Sequence, residues 1–204
     1  MRLRRLVPAL AAVTVAGLAP GGCAEQSAAL RVGDHSVSEA DLMDELDAWG
    51  GNEQYWTDVS QPVPEGELPD SWDQEFVSQT LSQRVQFLLI EDIFDERGLE
   101  LTDDDRNAAE QGLGQQLGAA FDAFPDDLRA DLVDVIARRN ALVDELGQDG
   151  FQQALYEAVT GADISVASRF GHWDEDTLAV VPPDGSTPAA GVADDLGITP
   201  GTTG

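Results

Sequence analysis

Apolar residues recur along this chain in two rhythms, a period of two in short stretches near both ends of its central part and a period near 3.6 between them. Leu30, Val32 and Val37 flank a Gly33-Asp34 turn signal, which predicts two very short strands in a hairpin. Ser38, with Asp41 three residues later, is a capping arrangement. It opens a first helix whose apolar face is Leu42, Met43, Leu46 and Trp49 and which Gly50-Gly51 closes. The stretch from Asn52 to Asp70 holds Pro62, Pro64 and Pro69 and few aliphatics, and reads as a loop. Ser71, with Gln74 in the reciprocal position, caps a long second helix in which Trp72, Phe76, Val77, Leu81, Val85 and Leu88 recur at helical spacing until Gly98.

Thr102 caps a third helix whose first turn carries Asp103, Asp104 and Asp105, where the helix dipole favours negative charge, and whose second half is weakened by Gly112, Gly114 and Gly118. A fourth helix starts near Pro125 and stops at Gly147. A fifth runs from Asp149 on Phe151, Leu155 and Val159. After Gly161 the rhythm returns to two in Ile164 and Val166, followed by SRFGHWDEDTLAVVPP, which reads as strand, turn and extended exit with FGHW assigned to the closing strand. The segment Ile164 to Ser168 is expected to pair with Leu30 to Ser38, because a short strand alone leaves its backbone groups unsatisfied and no comparable strand lies between them. The expectation is a mainly α fold, about five packed helices with a small β-sheet formed by N-terminal and C-terminal strands, over residues 30–181. From Pro182 to Gly204, Pro, Gly, Thr, Ala and Asp dominate, which predicts a disordered tail.

Ahead of this domain, Arg2, Arg4 and Arg5 precede an uncharged run from Leu6 to Leu18, too short to span a bilayer and patterned as an export signal over residues 1–22. The string LAPGGC is similar to a lipobox, with Pro20 where such motifs carry an aliphatic residue. It implies cleavage before Cys23, acylation of its sulfur, and a short tether over residues 23–29. A lone cysteine beside an export signal can form no internal disulfide, which favours this use. Ordinary cleavage after Ala24, giving a secreted protein, is the alternative. Lipidation would place the protein on the outer face of the cytoplasmic membrane, held by its anchor.

The chain holds 39 acidic residues and 11 basic ones, all arginine. Loss of the signal removes three arginines and no acid, leaving eight against 39, a net charge of −31. Such a surface repels phosphate backbones, so nucleic acid is not an expected partner, while basic segments of other chains are attracted.

Catalytic and metal chemistry find little material: the histidines are His35 and His172, and there is no second cysteine. Asp34-His35-Ser36 has the residue types of a hydrolase triad, but strand neighbours point to opposite faces. Asp34 to Glu45 has the length of a calcium loop, with Glu39 where glycine is needed and Leu42 and Met43 patterned as helix core. Asp103–Asp105 and Asp174–Asp176 are acidic clusters, the first already explained as a helix start. No catalytic residue, metal or cofactor is expected. Trp49, Tyr55, Trp56 and Trp72 flank the proline-rich loop. They are either lids over the core or the lining of a groove for apolar side chains of a client peptide, which makes them the candidate client-binding residues.

An anchor motif, then VGDHSVSEADL, a run of helices broken by GLELTDDD, and a closing ISVASRFGHWD together resemble the N-terminal chaperone domain of SurA-type and PrsA-type foldases, over Leu30 to Asp174. The ending SRFGHWD is similar to that of small lipoproteins in this group, with Ser168 where proline is more usual. The resemblance implies packed helices with a terminal-strand sheet, and binding of unfolded or partly folded exported proteins. Many members carry a parvulin-type prolyl isomerase domain before the closing strand. Here only Gly161-Ala162-Asp163 stands there, which implies a form without isomerase activity. A structural lipoprotein that docks one specific envelope partner is the alternative.

Overall fold

The computed structural model describes residues 28–67 and 71–183. The predicted export signal, Cys23, most of the predicted tether, and the predicted tail from residue 184 lie outside the described residues. Two strands open the fold, β1 (Ala28–Val32) and β2 (His35–Ser38), antiparallel with Leu30 opposite Val37 and Val32 opposite His35. Alternation explains their burial: Leu30 and Val32 are fully buried while Arg31 between them is exposed. Gly33 takes the positive φ of 54° that the two-residue turn requires.

Ser38 ends β2 and caps α1 (Glu39–Gly50). Its hydroxyl accepts from the Asp41 N–H at 3.1 Å, and the Asp41 carboxylate accepts from the Ser38 N–H, the reciprocal box the sequence predicts. Leu42 and Leu46 face the core as expected. Met43 instead points outward, and Glu45 is buried beside Leu46.

The segment read as a loop contains a helix, α2 (Glu53–Asp58), capped by Asn52, whose Oδ1 accepts from the Tyr55 N–H and whose Nδ2 donates to the Ala120 carbonyl at 2.8 Å. Six residues are too few to display a helical period. The chain then doubles back, Glu65 bridging to Trp72, with the Gly66 N–H bonded to Ser71 O and the Asp73 N–H to Pro64 O. That bridge keeps Trp72 extended. The long helix α3 (Gln74–Glu96) accordingly starts two residues later than predicted, on Asp73, whose carboxylate accepts from the Glu75 and Phe76 N–H groups.

Helix α3 is the centre of the molecule, buried on several sides. Its buried Ser78, Thr80 and Ser82 return their hydroxyls to carbonyls one turn earlier. The Ser82 oxygen also accepts the Val180 N–H at 2.9 Å. Thr102 caps α4 (Asp103–Leu117) through a second reciprocal box with Asp105. Gly118 ends α4 and begins an unpredicted single turn, α5 (Ala119–Ala123), which buries Phe121. Helix α6 (Asp126–Gly161) spans both of the last predicted helices and leaves helical geometry inside at Gly147, where the sequence places the division between them.

Ala162 and Asp163 join α6 to β3 (Ile164–Val166), which pairs antiparallel with β1, Leu30 opposite Val166 and Val32 opposite Ile164. The order is β2-β1-β3, so the two ends of the domain meet in one small sheet beside a mainly helical body. The Gly33 N–H to Asp163 O and Ala167 N–H to Ala29 O bonds extend the ladder at both ends. The remainder of the predicted closing strand does not continue it. A turn over Ser168 to Phe170, closed by the Phe170 N–H to Ala167 O bond, diverts the chain into a separate hairpin of β4 (His172–Asp174) and β5 (Ala179–Val181). Val180 is fully buried against α3, and Pro182, read as the first tail residue, is buried with it.

Candidate functional site

The four aromatic residues singled out in the sequence come together. Trp49 packs edge to face on Tyr55 (5.5 Å between centroids), Tyr55 on Trp56 (5.0 Å), Trp56 on Phe76 (5.6 Å), and Phe76 on Trp72 (5.9 Å). Trp56 Nε1 donates to the Trp49 carbonyl and Trp72 Nε1 to Asp47 Oδ1. The Trp72 indole lies flat over Gly50, where a Cβ would collide with its ring. Trp49 also packs on Phe124 and so joins the main core to a second apolar cluster of Leu113, Phe121, Phe124 and Leu132. Trp56 is buried and the other three half-buried. These ring contacts give the four residues a structural role as one wall of the core.

A concavity lies elsewhere, between α4 and the first turns of α6. It measures about 860 Å³, within the range of ligand clefts, roughly 300–1,000 Å³. One wall is the α4 face of Asp103, Arg106, Asn107 and Glu110, and the other is the α6 face carrying Asp126, Arg129, Asp131 and Asp134. Phe121 and Val133 supply apolar surface between them. Arg106 Nε donates to Asp134 Oδ1 at 2.7 Å across the cleft, and Arg129 pairs with Asp126 on its own helix. Asp103, Glu110 and Asp131 form no ion pair among the described residues. The spacings i, i+3, i+4 and i+7 on α4, and i, i+3, i+5 and i+8 on α6, hold the signal for these two polar faces. That they oppose each other is a tertiary fact that sequence reasoning missed.

A smaller cleft of about 170 Å³ shares Asp131 and Asp134 and is bordered by Arg84, Glu91 and Arg138. Behind it, Glu45 is buried with Arg84 Nε 3.2 Å from its Oε2, at ion-pair distance but off the line of a hydrogen bond. Burial pushes the Glu45 carboxyl up, the Arg84 guanidinium pulls it down, and the Asp131 charge pushes it up again.

His35 does not form a triad with its neighbours. Its Nε2 lies 2.7 Å from Asp92 Oδ1 on α3, and Ser36 is exposed on the opposite strand face. The hydrogen bond to Asp92 raises the His35 pKa above 6.5, with burial opposing it and the Asp92, Glu91 and Asp34 charges adding to it. In the stretch that has only the length of a calcium loop, Leu42 and Glu45 are buried on α1. The Asp103–Asp105 cluster is a helix start, and its Asp105 carboxyl is held low first by the Thr102 hydroxyl. In the Asp174–Asp176 cluster, Asp174 closes the β4–β5 turn by accepting from the Thr177 and Asp176 N–H groups and the Thr177 hydroxyl, which lowers its pKa. No group of three or more His, Cys, Asp or Glu among the described residues is placed to hold a metal ion, and no described helix is long and apolar enough to cross a membrane.

Comparison of the chain with protein-family models, curated proteins and solved structures gives no match.

Proposed function

We propose that this chain is a membrane-anchored, extracytoplasmic, chaperone-like lipoprotein of the SurA N-terminal type. It is acylated at Cys23 and binds unfolded or partly folded exported proteins without prolyl isomerase chemistry. The observation that carries this reading is the antiparallel pairing of β3 with β1 around an intervening helical body, the architecture that the sequence resemblance implies. The two-residue link from α6 to β3 supports the further point that no isomerase unit interrupts this closure. A strongly acidic surface also suits a holdase, since charge repulsion keeps complexes with sticky clients dispersed.

The test is suppression of aggregation of several unrelated denatured proteins by the purified full chain. Broad suppression at near-stoichiometric amounts is the expected result. A second reading, a lipoprotein that docks one specific envelope partner, is favoured by one observation: Trp49, Tyr55, Trp56 and Trp72 spend much of their apolar surface on the core. Suppression of none of the test proteins would select that reading. Anchoring is tested separately, with Cys23→Ser expected to abolish acylation and release the product from membranes. A native protein with an unmodified terminus at Glu25 would overturn the anchor.

A further inference from the structure

Resting on the chaperone-like reading, the geometry points to the cleft between α4 and α6 as the place where a client docks an extended segment bearing arginine or lysine beside an apolar side chain. Helices α4 and α6 share a buried apolar cluster that includes Leu113 and Leu132, as packed amphipathic helices do. The faces that line the cleft beside this contact are polar: Asp103 and Glu110 stand two turns apart on α4, opposite Asp131 and Asp134 on α6, over the apolar surface of Phe121 and Val133.

Charge decides the occupant. The lining holds five carboxylates against two guanidiniums, and each guanidinium is already engaged, Arg106 by Asp134 and Arg129 by Asp126. Asp103, Glu110 and Asp131 therefore face the cavity without an ion-pair partner among the described residues, and a concave low-dielectric wall focuses their field. The field reaches inward as well, since Asp131 pushes the carboxyl of buried Glu45 up. An acidic or phosphorylated ligand is repelled, and a purely apolar one leaves the carboxylates unanswered. A guanidinium or ammonium answers them with charge-assisted hydrogen bonds, while a neighbouring apolar side chain covers Phe121 and Val133.

The experiment uses the full chain and a fluorescent ten-residue probe peptide carrying two arginines and two leucines among glycine and serine, with a second probe in which glutamate replaces both arginines. Binding is read by anisotropy at low and physiological salt. The double variant Glu110→Gln/Asp131→Asn is compared with a control pair of equal charge change, Asp149→Asn/Glu175→Gln, which lies outside the cleft. All four positions are exposed, so melts should be unchanged. The expected result is binding of the arginine probe, loss of about tenfold in affinity in the cleft variant and little change in the control. The glutamate probe should not bind. Asp131→Arg should weaken the arginine probe further.

Equal weakening by both pairs, which marks an effect of overall charge, or no weakening by the cleft pair, overturns the inference. The aggregation assay separates this from the broader reading. Wild-type suppression that survives in the cleft variant removes the cleft and keeps the chaperone. Probe binding lost in the cleft variant, with no suppression by wild type, keeps the cleft and removes the chaperone.

Discussion

Between His35 on β2 and Asp92 on α3 lies a contact that ties the opening hairpin to the central helix, and its strength depends on pH. The folded His35 pKa is raised above 6.5, so the folded state holds this proton more tightly than the unfolded chain does. The stabilisation is therefore complete below 6.5 and is lost as pH rises through the folded value. Asp92→Asn removes the largest cause of the shift, leaving the Glu91 and Asp34 charges. The difference in Tm between wild type and this variant should be largest near about pH 5.5 and shrink toward about pH 8.5. An equal difference at both pH values would mean that the histidine carries no linked proton. Trp56 makes a second residue-scale case. It is buried between Tyr55 and Phe76, so Trp56→Ala should cost about 3–5 kcal/mol in a denaturant melt, as large core truncations do. A wild-type melt with lost client binding would make the aromatic set a surface site. Sequence spacing left these two roles undivided because the residues flank a loop, where no period says which side faces inward.

The elements that announce themselves chemically are those the sequence reveals. Ser38 with Asp41 and Thr102 with Asp105 are capping boxes in the sequence and in the structure, because both bonds are made within four residues. Elements set by distant partners are not legible in this way. Helix α2 is too short for a period, α5 is a single turn, and the start of α3 moves from Ser71 to Asp73 because Trp72 is held by Glu65 from the preceding loop. The β4–β5 hairpin depends on Ser82, about a hundred residues from it in sequence, whose hydroxyl receives Val180. The cleft is hidden for the same reason: each polar face is periodic, but only the packing of α4 on α6 opposes them. Gly147 is a feature that local sequence did indicate. At φ 73° and ψ 164° it occupies a region open essentially to glycine, with free space around its Cβ position. Gly147→Ala should thus cost about 1–3 kcal/mol through the backbone alone. A neutral or stabilising effect in thermal melts would show that α6 can run straight without penalty.

Across the whole molecule, the fold depends on its two ends meeting. Strand β1 is the middle strand of its sheet, and Leu30 and Val32, both fully buried, belong to the main core shared with α1 and α3. Truncation from Asp163 removes β3, the β4–β5 hairpin and the cover that Val180 gives α3. It should cost most of the folding free energy, typically about 5–15 kcal/mol for a domain. Truncation after Pro183 removes no described element and should melt like the full chain. Equal melts for the two truncations would contradict this closure, the structural support for the functional reading.

That functional reading, recognition of unfolded chains, is tested most directly by titrating the full protein against one permanently unfolded, reduced and carboxymethylated protein and against the same protein in its native form, with binding read by calorimetry. The account predicts measurable binding of the unfolded form, weakened by salt because acidic surface contributes, and none of the native form. Binding of neither form, or of both alike, would contradict it.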